Sequence, residues 1–247
     1  MITNSASGTN LHEIAPGIYR INTPVDIPGS KFNFNQYLIA DEAPLVFHTG
    51  PRGLFPLVAE AIAKVLPLDT LRYVAFAHVE ADEMGALNQF LAAAPQAVPV
   101  CSQIAAMVSV NDLADREARA MADGEVLSLG KHSLRWIDAP HVPHGWENGL
   151  MMEMSTRTLL CGDLFCQGGS GEKALTESDV LGPSEAFRAQ MDYYAHAPHT
   201  AAVLEKLAGE KPQLLACMHG SAWKGDGAGL LRALAKCLKE RELAVAA

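Results

Sequence analysis

The sequence predicts an α/β fold: one domain of two half-repeats, each a set of strands followed by helices that cover the sheet. Three observations predict it. Short apolar runs and segments of helical spacing follow one another in the order strands, helix, strands, helix, twice over. Hydrophobic residues make up 49% of the 247 residues and charged residues 19%, enough for a sizeable core and too little charge for a disordered chain or a coiled coil. Four places share one pattern, in which an apolar stretch ends and a His or Asp follows in a loop: Ala77-His78, Pro143-His144, Gly162-Asp163 and Met218-His219.

In chain order, 17–22, 35–40 and 45–48 read as short strands, and Pro51-Arg52-Gly53 as a turn. Leu54, Val58, Ile62 and Val65 recur at helical spacing, which predicts a helix over about 54–66. The run 71–77 reads as a buried strand ending at His78, and Asp82 as the N-cap of the next helix, with Leu87, Phe90 and Leu91 on one face. A strand at 97–100 and a short helix at 102–108 follow. The second half opens with a strand pair, 125–129 and 133–137, turning at Gly130-Lys131, and a hairpin, 150–154 and 158–161, turning at 155–157. The stretch 163–172 holds three glycines and reads as irregular. A long helical region is expected over 184–207 with an interruption near Pro198, then a strand at 214–217, then a closing helix marked by Leu230, Leu234 and Leu238. No linker of Pro/Ser/Gly composition divides the chain, which predicts a single domain over 1–247.

Composition excludes several classes. The net charge is −9 and no basic stripe is present, which disfavours nucleic acid as a partner. No apolar run approaches the ~18 residues that span a bilayer. The polar first ten residues lack a signal peptide's apolar region. Five cysteines with no CxxC read as reduced thiols, most of them buried small apolar residues, and a cytoplasmic location is expected. There is no GxSxG, GxGxxG or Walker A motif, so neither a serine nucleophile nor a nucleotide site is announced.

The chemistry concentrates in His78-Val79-Glu80-Ala81-Asp82-Glu83. It offers three potential metal ligands at alternate positions, with a fourth directly behind. A zinc hydrolase favours imidazole at the middle position, where this chain has Glu80. Mixed nitrogen and carboxylate ligation suits iron or manganese better than zinc. A two-metal site needs about six to eight protein donors and a bridging carboxylate; His78, Glu80, Asp82, His144, Asp163 and His219 supply six. Asp163 is the natural bridge, because a carboxylate offers one oxygen to each metal. A lone His at a strand end is more often a hydrogen-bonded structural residue. Four matching strand ends favour the metal reading. His141, three residues before His144, is a rival ligand or a pocket wall.

These residues resemble the metallo-β-lactamase fold and, more narrowly, the diiron domain of flavodiiron proteins. The resemblance runs from about Ile18 to Trp223. It is carried by Asn35-Gln36-Tyr37-Leu38-Ile39, the HxExD of His78–Asp82, residues 124–129, His144, the Leu160–Gln167 run with its DxFxQ, Tyr193-Tyr194-Ala195, and His219-Gly220 with Trp223. It implies an αββα sandwich of two mixed sheets flanked by helices. It implies two iron ions, with zinc or manganese as alternatives. His78, Glu80 and His144 would hold the first, Asp82 and His219 the second, with Asp163 between them. The His144-to-Asp163 separation matches the family's ligand pair, and that from His141 does not. Glu83 stands where the family usually has a second-metal histidine, and ligation by Glu83 is one expectation. Further departures are His48 where the wider fold usually has an aspartate, Gly168 where many relatives have a histidine, and Gly145-Trp146 in place of Trp-Pro. The family's reductases carry a flavodoxin domain. None is expected in this chain, nor a rubredoxin domain, nor bound FMN.

The resemblance implies a non-haem diiron protein that binds O2 or NO. It would act as a sensor, a carrier, or an oxidoreductase fed by a separate electron-transfer or signalling partner. Tyr193, Tyr194 and His141 are the candidate proton donors. A homodimer is expected. The competing readings are a metal-hydroxide hydrolase of the thioesterase or lactonase type, which Glu80 opposes, and a metal-binding module without turnover.

Overall fold

The computed structural model describes residues 1–245. Two mixed sheets lie face to face with helices on their outer faces, the metallo-β-lactamase-like sandwich. The first sheet is built in sequence order: β1 (Ile2–Asn4), β2 (Thr9–Ala15), β3 (Ile18–Ile27), β4 (Ser30–Ile39), β5 (Leu45–Phe47), β6 (Tyr73–Ala75), β7 (Val98–Ser102) and β8 (Arg119–Met121). Its first five strands pair antiparallel. From β5 onward the pairing is parallel, and such pairing needs crossovers. These are supplied by α1 (Phe55–Ile62), between β5 and β6, and by α2 (Ala81–Met84) and α3 (Leu87–Ala93), between β6 and β7.

The second sheet contains β9 (Val126–Ser128), β10 (Ser133–Asp138), β11 (Gly149–Glu153), β12 (Thr158–Leu160), β13 (Leu175–Thr176), β14 (Leu214–Ala216) and β15 (Ala222–Lys224), in the spatial order β13-β15-β14-β12-β11-β10-β9. The helix α4 (Gln103–Ala105) widens into a π turn over Ala106–Val110 and ends in α5 (Asn111–Leu113). Three helices complete the chain: α6 (Leu181–Met191), α7 (Thr200–Gly209) and α8 (Gly227–Val245). No described helix is long and apolar enough to cross a membrane.

The period of two along each strand sorts residues between the layers. Tyr37, Ile39, Leu45, Phe47 and Ala75 belong to one core cluster with Trp136, Leu150 and Leu159 of the second sheet. Leu38, Val46, Val74 and Phe76 face outward, against Val58, Ile62, Leu87 and Phe90 of the helices. On the other side Leu204 and Leu207 of α7 and Leu231 and Leu234 of α8 are fully buried.

Several expectations differ from the structure. The N-terminal hairpin of β1 and β2 escaped the sequence reading because a register shift between Glu13 and Ala15 interrupts the alternation of β2. Strands β8, β13 and β15 are too short to show a period. The helix expected at 54–66 is a 3₁₀ turn, Arg52–Leu54, followed by α1. Residue Glu80, extended at φ −140°, precedes α2, and Asp82 lies inside that helix instead of capping it. The region 184–207 is two helices, separated from residue 192 onward. Left-handed Asp192 (φ 45°) and His196 (φ 49°) break it before Pro198 is reached.

Candidate metal centre

The donors come from loops at the ends of strands of both sheets. After β6 the chain runs through Phe76 and Ala77 to His78. His78 and Glu80 flank a bend in which the Glu80 amide donates to the His78 carbonyl oxygen at 3.2 Å. His78 Nε2 lies 2.8 Å from Glu80 Oε2. Asp82 follows on the first turn of α2. His144 enters from the loop between β10 and β11, with its Nε2 2.8 Å from His78 Nε2 and 3.0 Å from Glu80 Oε2. Gly145 makes this approach possible: at φ 75°, a Cβ there would sit 3.1 Å from His78 Cβ, tighter than packing normally allows. That accounts for glycine where the family usually has tryptophan.

Asp163 follows β12, and its two oxygens face different neighbours. Oδ2 lies 3.4 Å from His144 Nε2 and 3.8 Å from His78 Nε2. Oδ1 lies 3.3 Å from His219 Nε2, which is also 3.3 Å from Asp82 Oδ2. One carboxylate therefore joins a group of His78, Glu80 and His144 to a group of Asp82 and His219. The ligand atoms of His78, Glu80, His144 and Asp163 all lie within 4.8 Å of one another. Cys166, unassigned in the sequence reading, joins the second group. Its Sγ is 3.3 Å from Asp163 Oδ1 and 3.1 Å from the Asp163 carbonyl oxygen. Its position three residues after Asp163 was the available signal.

The charges are tightly coupled. Burial opposes protonation of His78, yet Glu83, Glu80 and Asp163 outweigh it and raise the ring to about 10. Burial likewise opposes charge on His219, and Asp163 with Asp82 raises it to about 10. Hydrogen bonds from His144 and His78 hold Glu80 down at about 2. Burial raises Asp163, but His219, His78 and His144 outweigh it and hold that carboxyl well below its usual range. Such rings demand a cation in their plane, either a proton or a metal ion.

The donor set fits a metal. The His219 Nδ1–H donates to the Asn33 carbonyl at 2.7 Å, which leaves the Nε2 lone pair facing two carboxylate oxygens. A cation between them converts that repulsion into ligation. Glu80 and His144 form the open side, with side chains 50% and 23% exposed against 3% for His78 and 5% for His219. Behind His219 stands an aromatic wall. Phe32 lies 4.3 Å and Phe34 5.5 Å from its ring centroid, and Phe187 of α6 stacks on Phe32.

Three other candidates take different places. The fully buried Glu83 stays out of both donor groups. Its Oε2 accepts the Ala77 and His78 amides at 2.9 and 2.7 Å, and its Oε1 lies 3.2 Å from His48 Nε2 and 3.3 Å from His78 Nδ1. Spacing alone could not show that this side chain turns back beneath β6. His141 is absent from both groups and packs edge-on against His199 at 5.6 Å. Of the tyrosines, Tyr193 donates its hydroxyl to the Asp163 carbonyl oxygen at 3.2 Å, with its ring 5.9 Å from that of His144. The Tyr194 hydroxyl is buried without a partner, beneath Arg188.

The chain is similar to several known proteins. The chain is 26% identical over 201 residues to the rubredoxin-oxygen oxidoreductase of Megalodesulfovibrio gigas, covering 78% of this chain and 49% of that protein. It is 31% identical over 176 residues to the putative diflavin flavoprotein A 4 of Nostoc sp., covering 68% and 29% respectively. It is 24% identical over 210 residues to the anaerobic nitric oxide reductase flavorubredoxin of Pectobacterium carotovorum, covering 81% and 41%. The chain thus spans half or less of the length of these relatives. Among solved structures, fragment 1–254 of the putative diflavin flavoprotein A 5 of Nostoc sp. superposes with a TM-score of 0.84 at 21% identity, over 97% of this chain and 98% of that one. The flavodiiron protein of Giardia intestinalis superposes with a TM-score of 0.77 at 21% identity, over 93% and 59%. The family model described as ODP family beta lactamase matches residues 32–220, and the chain belongs to that family.

Proposed function

We propose that this chain is a non-haem diiron protein that binds O2 or NO and reduces it when a separate partner supplies electrons. The observation that carries the reading is Asp163, whose two oxygens face two different donor groups. His78, Glu80 and His144 would hold one iron, and Asp82 and His219 the other. The second group is poorer in protein donors, because Glu83 is engaged elsewhere. The printed names of the relatives, an oxygen oxidoreductase and a nitric oxide reductase, support the same chemistry.

When bound, a ferrous pair supplies one electron per ion to O2. Reduction to water needs two more, and these define the role of the external donor. The protein's own residues prepare the site. Glu80 and His144 leave the first position open to a small ligand. Phe32, Phe34 and Phe187 exclude water from the His219 side and suit an apolar diatomic molecule. Tyr193 braces the Asp163 main chain. The hydrolase reading is disfavoured: Glu80 replaces the middle imidazole, and the relatives reported above are named for redox chemistry.

The test is metal analysis of protein purified without added metals, then stopped-flow mixing of anaerobic reduced protein with O2 or NO, beside a panel of thioesters and lactones. Iron with a visible charge-transfer band on mixing supports the reading. Zinc at full occupancy with efficient ester hydrolysis sinks it.

A further inference from the structure

We infer that Glu83, held by His48, is a positioning residue that fixes which nitrogen of His78 faces the metal, and is not itself a ligand. The inference rests on the reading of the basin as a metal centre and goes beyond it.

One carboxylate offers about four lone-pair sites. At Glu83 backbone amides fill the sites of one oxygen, and two ring nitrogens stand close to the other without a hydrogen bond in this structure. Oε2 accepts two backbone amides, Ala77 at 2.9 Å and His78 at 2.7 Å. Oε1 faces two ring nitrogens, His48 Nε2 at 3.2 Å and His78 Nδ1 at 3.3 Å. The side chain is fully buried, so water does not compete. A metal bond from Glu83 would break this set and strand two buried amides, each costly to leave unpaired.

The same set dictates the chemistry of His78. A carboxylate beside Nδ1 holds the proton there and leaves Nε2 with its lone pair, aimed at Glu80 and His144. The amide bonds at 77 and 78 tie that orientation to the backbone at the exit of β6. The ring therefore cannot turn without dragging the end of the strand. His48 completes the clamp from the neighbouring strand end. It is fully buried, left-handed at φ 67°, and its Nδ1 lies 2.9 Å from Met218 Sδ, next to His219. One carboxylate thus links the loops that carry His78 and His219, one from each sheet.

The experiment uses the whole chain, stripped and reloaded with Zn(II) as a diamagnetic probe. Nitrogen-15 spectra of the loaded protein should show His78 carrying its proton on Nδ1, hydrogen-bonded and shifted downfield. In Glu83→Gln the amide group must point a donor at a donor, so Zn(II) affinity measured by chelator competition should fall about 10- to 100-fold. The His78 Nδ1 proton should lose its downfield position. His48→Gln, which keeps an N–H facing Glu83, should retain affinity within about threefold, whereas His48→Ala should not. This second pair keeps the inference falsifiable if Glu83→Gln does not fold. Unchanged affinity and an unchanged His78 signal in folded Glu83→Gln, or zinc bound through His78 Nδ1, would overturn it. If native protein carries a metal other than iron, the diiron reading fails and this inference stands.

Discussion

Replacing Glu153 by Gln should destabilise the protein at neutral pH, by an amount that shrinks as pH falls toward 2. Glu153 ends β11 and is fully buried, and it organises the turn into β12. Its Oε1 accepts the Ser155 amide at 3.1 Å and the Ser155 hydroxyl at 2.7 Å. Its Oε2 accepts the Thr156 amide at 2.7 Å and the Thr156 hydroxyl at 2.5 Å. His132 Nδ1 stands 3.1 Å away. Burial raises this carboxyl, but the hydroxyl and amide donors outweigh it and bring it from 4.5 to about 2. At about 1.4 kcal/mol per pH unit, that difference is worth roughly 3 kcal/mol of folding free energy. The sign follows from the depressed value. The contribution is fully present above about pH 4.5 and is lost as pH falls through about 2. Glutamine keeps the shape but turns an amide donor toward two donors, so it should lose about 2–3 kcal/mol at pH 7. Urea unfolding of both proteins at steps from pH 7 to 2.5 reads this directly, and effects of metal release common to both cancel in the difference. A gap below about 0.5 kcal/mol at pH 7, or one that does not close on acidification, would refute the reasoning.

Further predictions concern the centre itself. His144→Ala should abolish binding in the first donor group, while His141→Ala should leave metal content nearly intact; metal analysis of both variants separates them. Gly220→Ala should weaken metal binding at least tenfold in a chelator titration, because φ is +85° and the new Cβ would meet Gln167 Cβ at 2.6 Å beside His219. Tyr194→Phe removes a buried hydroxyl that has no partner, so stability should hold or rise by about 1 kcal/mol in urea unfolding, with an unchanged rate of reaction with O2.

The layers were legible because strands buried on both faces, such as β5 and the second half of β4, are continuous apolar runs. The candidate donors His78, Asp163 and His219 were legible because each lies just beyond the end of a strand, whereas His144 sits in mid-loop between β10 and β11. Other features left no such trace. Glu83 belongs to the same short run as His78, Glu80 and Asp82, and spacing cannot distinguish a carboxylate aimed at the basin from one folded back under Ala77. Position along the chain favoured His144 over His141 only through the family resemblance; in space, left-handed backbone at His141 (φ 62°) sends the two rings to different neighbours. The hairpin of β1 and β2 was hidden by its bulge, and the break before α7 by two non-glycine residues in left-handed conformation.

The origin of the donors has a mechanical consequence. His78, Glu80 and Asp82 hang from the first sheet, while His144, Asp163 and His219 hang from the second. Any ion shared between them is a rivet through the seam of the sandwich. Binding free energy then resists separation of the two halves, since neither sheet alone presents more than part of a coordination shell. Hydrogen exchange should register this as added protection of amides in both sheets, beyond the loops that carry the candidate donors, when the chain is loaded. A strain that pries the sheets apart, by pressure or by mild denaturant, should expel the ion before it melts either sheet.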